Sequence, residues 1–341
     1  MTEDACPKRM VFGPCGGVGE HDGCEVDERP CPFVGRPIAL FPGPPPPSAP
    51  EPDATIEMRR LLAGGRVVIA DFPDAPLSQE SISSTAAILG DHVDAVLLGD
   101  SPRDRVQFSP TYRAHLVNAA GLRSWAGLNC RDRNRVALEG ELAGLATVGV
   151  SGVHCVTGDH PSLGSRPDAA GVFDLDSTRL VALARPHGLL TSVAEAPASE
   201  PVDLRPQRLV EKVKAGAEVC FVNHAGGIGP VRRFIEHVRA LTSLGICFIP
   251  CVPVIVDRAS AEIVASFRSM VLPDGYLEGV LTGNDPRQHG ISAAVDLAQR
   301  FLEIDGVAGV NLSGGGAVGA ERDFAEALAE IGSALRSSHQ D

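Results

Sequence analysis

What most restricts the fold of this chain is a beat that starts at residue 54: short apolar runs alternate with longer amphipathic stretches. The runs fall at residues 66–70, 95–98, 126–128, 153–156, 189–193, 219–222, 247–251 and 308–312. Strands separated by helices pair in parallel, because each return to the same edge needs a crossover. Eight such units close on themselves more naturally than they form an open sheet, so the pattern predicts an α/β fold, a (β/α)8 TIM barrel. No GxGxxG follows the first run, which argues against a dinucleotide-binding doubly wound sheet. In a barrel the chemistry gathers at the carboxyl ends of the strands. Asp71, Asp100, residues 130–132, Asp159, Glu195, Asn223 and Asn311 all fall there.

Asp159 stands out among them. It closes the run Val153-His154-Cys155-Val156-Thr157-Gly158-Asp159-His160-Pro161, a buried strand ending on an ionisable pair, although Gly-Asp by itself also reads as a plain turn. Cys130 and Cys155 lie in or at strands and read as small buried hydrophobes.

The 341 residues exceed the roughly 250 of one barrel. The surplus is at the front, where Cys6, Cys15, Cys24 and Cys31 sit among Gly and Pro, a stretch too short and loop-rich to build a core of its own. Four thiolates holding a metal would staple it, and their spacing does not decide between zinc and an iron–sulfur cluster. A run of prolines from 42 to 52 then reads as a semi-rigid spacer. The expected organisation is a cysteine-rich metal-binding module at 1–40, a Pro-rich linker at 41–53 and the catalytic barrel at 54–341.

A formal charge of -13 lacks the basic footprint of a nucleic-acid or anionic-membrane surface, so small molecules or proteins are the expected partners. No apolar run approaches the ~18 residues of a membrane span, and the acidic start is unlike a secretory signal. A cytoplasmic location is expected, with the nine cysteines serving as thiols or ligands rather than disulfides.

Four blocks, taken in order, resemble the methylenetetrahydrofolate reductases over roughly residues 60 to 335. They are Leu128-Asn129-Cys130-Arg131-Asp132-Arg133-Asn134-Arg135, Gly158-Asp159-His160-Pro161, Val172-Phe173-Asp174-Leu175-Asp176-Ser177 and Lys212-Val213-Lys214-Ala215-Gly216-Ala217. The cysteine segment is similar to the metal-binding terminal domain of a partner subunit of such reductases. The resemblance implies reduction of 5,10-methylenetetrahydrofolate to 5-methyltetrahydrofolate in one-carbon metabolism and methionine biosynthesis. NAD(P)H or an electron-donor protein would supply the reductant, and FAD or FMN would be the cofactor. It implies that Asp159 stabilises the iminium cation formed when the methylene bridge opens. Lys212 would meet the flavin phosphates, with Arg131, Asp132, Arg133, Asn134 and Gly158 as further cofactor contacts. Asn223 would replace a glutamine that bonds the pterin.

The chain also departs from the family pattern. The family's glutamate at the end of the first strand, the acid that protonates N10, falls on Asp71 or Ala70 depending on one gapped residue; only Asp71 keeps an acid. A histidine before the Cys130 block is Gly127, and a Tyr-Pro-Glu-x-His stretch reads Ala196-Pro197-Ala198-Ser199-Glu200. Either FAD is held differently, or the pocket takes FMN, or flavin is absent and hydride passes directly from a nicotinamide. A non-catalytic or electron-transfer pterin-binding component, or a folate-dependent methyltransferase-like barrel, is the alternative reading.

Overall fold

The computed structural model describes residues 5–100, 104–266, 270–282 and 284–337. Eight strands run parallel in a closed barrel in chain order: β1 (Val67–Asp71), β2 (Ala95–Leu98), β3 (Ser124–Asn129), β4 (Gly152–Val156), β5 (Thr191–Glu195), β6 (Val219–Val222), β7 (Cys247–Pro253) and β8 (Gly309–Ser313). β8 closes the ring against β1, with Ile69 opposite Asn311. The helices are α1 (Asp53–Gly64), α2 (Gln79–Leu89), α3 (Pro110–Ala119), α4 (Arg135–Val148), α5 (Ser177–Ala184), α6 (Arg205–Ala215), α7 (Ile228–Leu241), α8 (Arg258–Ser266), α9 (Tyr276–Leu281), α10 (Pro286–Leu302) and α11 (Glu321–Ser337).

Alternation along each strand divides the core in two. Val68, Ala70, Val96, Leu98, Ala126, Leu128, Val153, Cys155, Val310 and Leu312 face outward into the layer of helices. Val67, Ile69, Leu97, Trp125, Phe221 and Ile249 face inward, and Met58 and Leu62 of α1 join them, closing the amino end of the barrel. Strands buried on both faces read as continuous apolar runs, and this is why their sequence signal is strong. Inside, Trp125 spreads across Gly152, where an added Cβ would come within 2.6 Å of the indole. The indole donates to Ser192 Oγ at 2.9 Å, and Phe221 meets both Trp125 and His154 edge-on.

Residues 5–40 do not stand apart from the barrel. They fold over the loops that follow β4 and β5. The Val11 N–H donates to Asp176, the capping residue of α5, and the Arg205 guanidinium at the start of α6 donates to the Cys15 carbonyl at 2.9 Å. The proline-rich stretch then runs down the outside of the barrel as a strap. The Phe41 N–H donates to Glu211 at 2.7 Å, Arg185 reaches the Pro46 carbonyl, and Gly188 passes close enough to Pro50 that no side chain would fit between them. The stretch expected to be a semi-rigid spacer packs against the barrel as a strap leading into α1. Among the described residues, no helix is long and apolar enough to cross a membrane.

Candidate active site

The carboxyl mouth of the barrel is ringed by polar side chains. At β1 the register separates the two candidate positions, Asp71 and Ala70. Val67 and Ile69 point inward and Val68 and Ala70 outward, so Asp71 continues the inner row and Ala70 belongs to the helix-facing core. Asp71 accepts from Asn311 Nδ2 at 2.9 Å and from the Gly314 N–H at 3.2 Å. Gly314 has φ +149, and a Cβ there would sit 3.0 Å from the Val254 carbonyl; glycine lets the loop after β8 bring its amide to the acid. Burial raises the Asp71 pKa above the usual aspartate value, against the lowering pull of its bonds to Asn311, Ser313 and Gly314. The glycine-rich turn after β8 therefore serves a carboxylate of the protein itself.

Asp159 is placed differently. It lies on the loop after β4 with an exposed side chain, paired with Arg105 Nη2 at 3.2 Å. Gly158, at φ +86, packs against Asn129. Asp71 and Asp159 thus have separate partners, one on β8 and the other on the loop before α3. The adjoining His160 stacks on Phe173 at 5.9 Å between centroids and bonds Ser162.

The run after β3 forms an ion-pair ladder. Arg131 bridges Asp100 at 2.8 Å and Asp132 at 3.0 Å, and Arg133 takes the other oxygen of Asp132 at 2.6 Å. Asn134 caps α4 by accepting from the Ala137 N–H. Asn129 donates to both oxygens of Asp100.

Lys212 is buried on the outer side of β5. Its ammonium donates to Glu195 at 2.7 Å and to the Ala194 carbonyl at 2.6 Å. Glu195 also pairs with Arg205, and Arg208 is buried beside them, bonded to Thr178. Burial lowers the Lys212 pKa, and the Glu195 charge works against that. Asn223 continues the inner row of β6 beyond Phe221, with its side chain exposed. Beside it His224 is buried, and its Nε2 lacks a partner among the described residues; burial pulls its pKa down to about 4.

Cys6 and, less deeply, Cys15 and Cys31 pack around Met10 and Phe33, while Cys24 Sγ accepts from the Val26 N–H at 3.5 Å. Burial is the largest influence on Cys6, Cys15 and Cys31 and raises all three, Cys15 to about 11; each also feels the charge of another of the four cysteines. Among the described residues, no three His, Cys, Asp or Glu side chains are grouped as they would be around a metal ion. Beside these thiols lies a buried Lys8–Glu25 pair that sequence reasoning missed. Burial would lower the Lys8 pKa, but the charges of Cys15, Glu25 and Asp159 outweigh it and raise the net value. A basic residue two positions after a cysteine was visible; that its partner would be Glu25 was not.

The chain is thus a closed parallel α/β barrel with an acid fixed inside its carboxyl mouth. No family model and no curated protein matches the sequence. Among solved structures it is similar to an uncharacterized protein from Clostridium thermocellum that binds two copies of 5-methyl-5,6,7,8-tetrahydrofolic acid. That likeness has a TM-score of 0.56 at 12% identity, covering 80% of this chain and 98% of the other. A tryptophan synthase structure from Mycobacterium tuberculosis follows with a TM-score of 0.49 at 14% identity, covering 84% and 99%. At these identities the likeness is one of fold.

Proposed function

We propose that this barrel binds a reduced folate over the carboxyl ends of its strands and reduces 5,10-methylenetetrahydrofolate to 5-methyltetrahydrofolate. The observation that carries the reading is Asp71, a carboxyl group in the inner row of β1 whose burial favours the protonated form. A group in that state can give a proton to a nitrogen of a bound ligand. The folate bound by the Clostridium thermocellum barrel supports the substrate class.

In this reading N10 takes the Asp71 proton as the methylene bridge opens, leaving an iminium at N5. Hydride from a reduced nicotinamide then reaches the methylene carbon and makes the methyl group. Asn311 and the Gly314 amide hold the Asp71 carboxylate once the proton has left, while Asp159 adds negative charge at the rim. The residues present do not fit a flavin held through Lys212. That lysine is 6% exposed and committed to Glu195, and the 5–40 segment covers the same sector. The four cysteines have the donor chemistry for zinc or an iron–sulfur cluster, but a metal would have to draw them together and deprotonate thiols that burial keeps neutral.

Titrating the full chain with 5-methyltetrahydrofolate, then following methyl formation in Asp71→Asn, tests the proposal. Binding should persist in the variant while turnover falls ~10²-fold or more, equivalent to roughly 3 kcal/mol. Wild-type turnover in Asp71→Asn would remove Asp71 from the chemistry.

A further inference from the structure

The reduced-folate reading leaves open which part of the mouth holds the pterin, and a pocket between the ends of β2 and β3 answers by its charge balance. Among the described residues four guanidiniums line it, and each already has a carboxylate: Arg105 has Asp159, Arg113 has Asp74, Arg131 has Asp100 and Arg133 has Asp132. A phosphate would have to break one of these pairs to be neutralised, exposing a partly buried carboxylate to a like charge. A neutral ligand that carries donors and an acceptor on one edge displaces nothing.

Asp100 is built to meet such an edge. Asn129 Nδ2 donates to its two oxygens at 3.1 and 2.9 Å and Arg131 Nη1 to one of them at 2.8 Å, which fixes its orientation. About a third of its side chain stays exposed, 35%, so lone-pair capacity remains for a ligand. The neighbouring wall is bare at Gly127, where a Cβ would come within 2.5 Å of the Leu98 carbonyl; a flat ring can lie against that backbone.

Resting on the reduced-folate reading, we propose that this pocket takes the 2-amino-4-oxopyrimidine edge of the pterin. Asp100 accepts the ring N–H and the exocyclic amine, and Arg131, whose side chain is 4% exposed, holds Asp100 in place without itself meeting the ligand. Guanine carries the same edge, so the test separates the two sources.

The full chain is titrated anaerobically by calorimetry with 6-methyltetrahydropterin, which has the ring and no tail, and in parallel with GMP and with pyrophosphate. The pterin is expected to bind and GMP and pyrophosphate to leave that binding unchanged. Asp100→Asn, which keeps the shape and removes the charge, is expected to weaken the pterin at least tenfold. Asn129→Ser, which frees Asp100 from its tether, is a second variant and should weaken it as well. Circular dichroism on both confirms that they fold. Unchanged pterin affinity in both variants overturns the pocket while leaving the folate reading in place. GMP binding more tightly than the pterin overturns the pterin assignment, and displacement by pyrophosphate overturns the charge-balance argument. Failure of the wild type to bind either the pterin or 5-methyltetrahydrofolate overturns this proposal and the folate reading together.

Discussion

Two acids on one barrel rim do different work when their surroundings differ. The Asp71 carboxyl is desolvated and held by an amide and a backbone N–H, so its charge state is set by the protein. Asp159 is 59% exposed, and an exposed ion pair contributes little because water screens it. An iminium opposed by such a carboxylate gains only a modest share of its stabilisation. Asp159→Asn is therefore expected to lower methyl formation by no more than about tenfold, well short of the loss at Asp71, since tenfold is ~1.4 kcal/mol. Steady-state rates on the two variants check the ranking; a larger loss at Asp159 would move the centre of the chemistry to β4.

At the scale of elements, the 5–40 segment is held to its own fold by buried charge. Lys8 and Glu25 are both nearly inaccessible, and removing one partner of a buried pair leaves the other uncompensated, at a cost of about 3–5 kcal/mol. Glu25→Gln should loosen residues 5–40 and leave β1–β8 protected, which hydrogen exchange resolved along the chain reads directly. Uniform protection in the variant would show that the pair holds nothing. The eight strands were legible because each is a short apolar run stopped by polar or turn residues, and parallel burial hides little of that pattern. Asp71 was legible too, because alternation leaves one inward acid at the end of β1. The burial of Lys212 was not: it is paired with Glu195, which it shares with Arg205, and Arg205 in turn reaches Cys15, 190 residues earlier. Nor was the exposure of Asp159, whose partner Arg105 belongs to a different loop, or the strap, since a proline run has the same sequence whether it floats or packs.

For the whole molecule, two buried imidazoles make stability depend on pH. Burial, with the Lys212 charge adding to it, pulls His154 down to about 3, and burial alone pulls His224 to about 4. Above the unfolded value of about 6.5 both states are neutral and nothing is lost; as pH falls below it, the unfolded chain takes up protons that the folded one refuses. Between pH 7 and 5 the loss is on the order of 2 kcal/mol for each histidine. Urea midpoints across that range should fall, and His154→Gln should flatten the slope by about one proton; an unchanged slope would mean that His154 titrates normally in the fold.

A reductase of this kind must turn over a folate in the barrel. Incubating the full chain anaerobically with 5,10-methylenetetrahydrofolate and NADH or NADPH, and resolving the folates by chromatography, tests it most directly. 5-Methyltetrahydrofolate is expected in the wild type, with the amount formed cut ~10²-fold in Asp71→Asn. Binding of the substrate with no methyl product under either nicotinamide would contradict it.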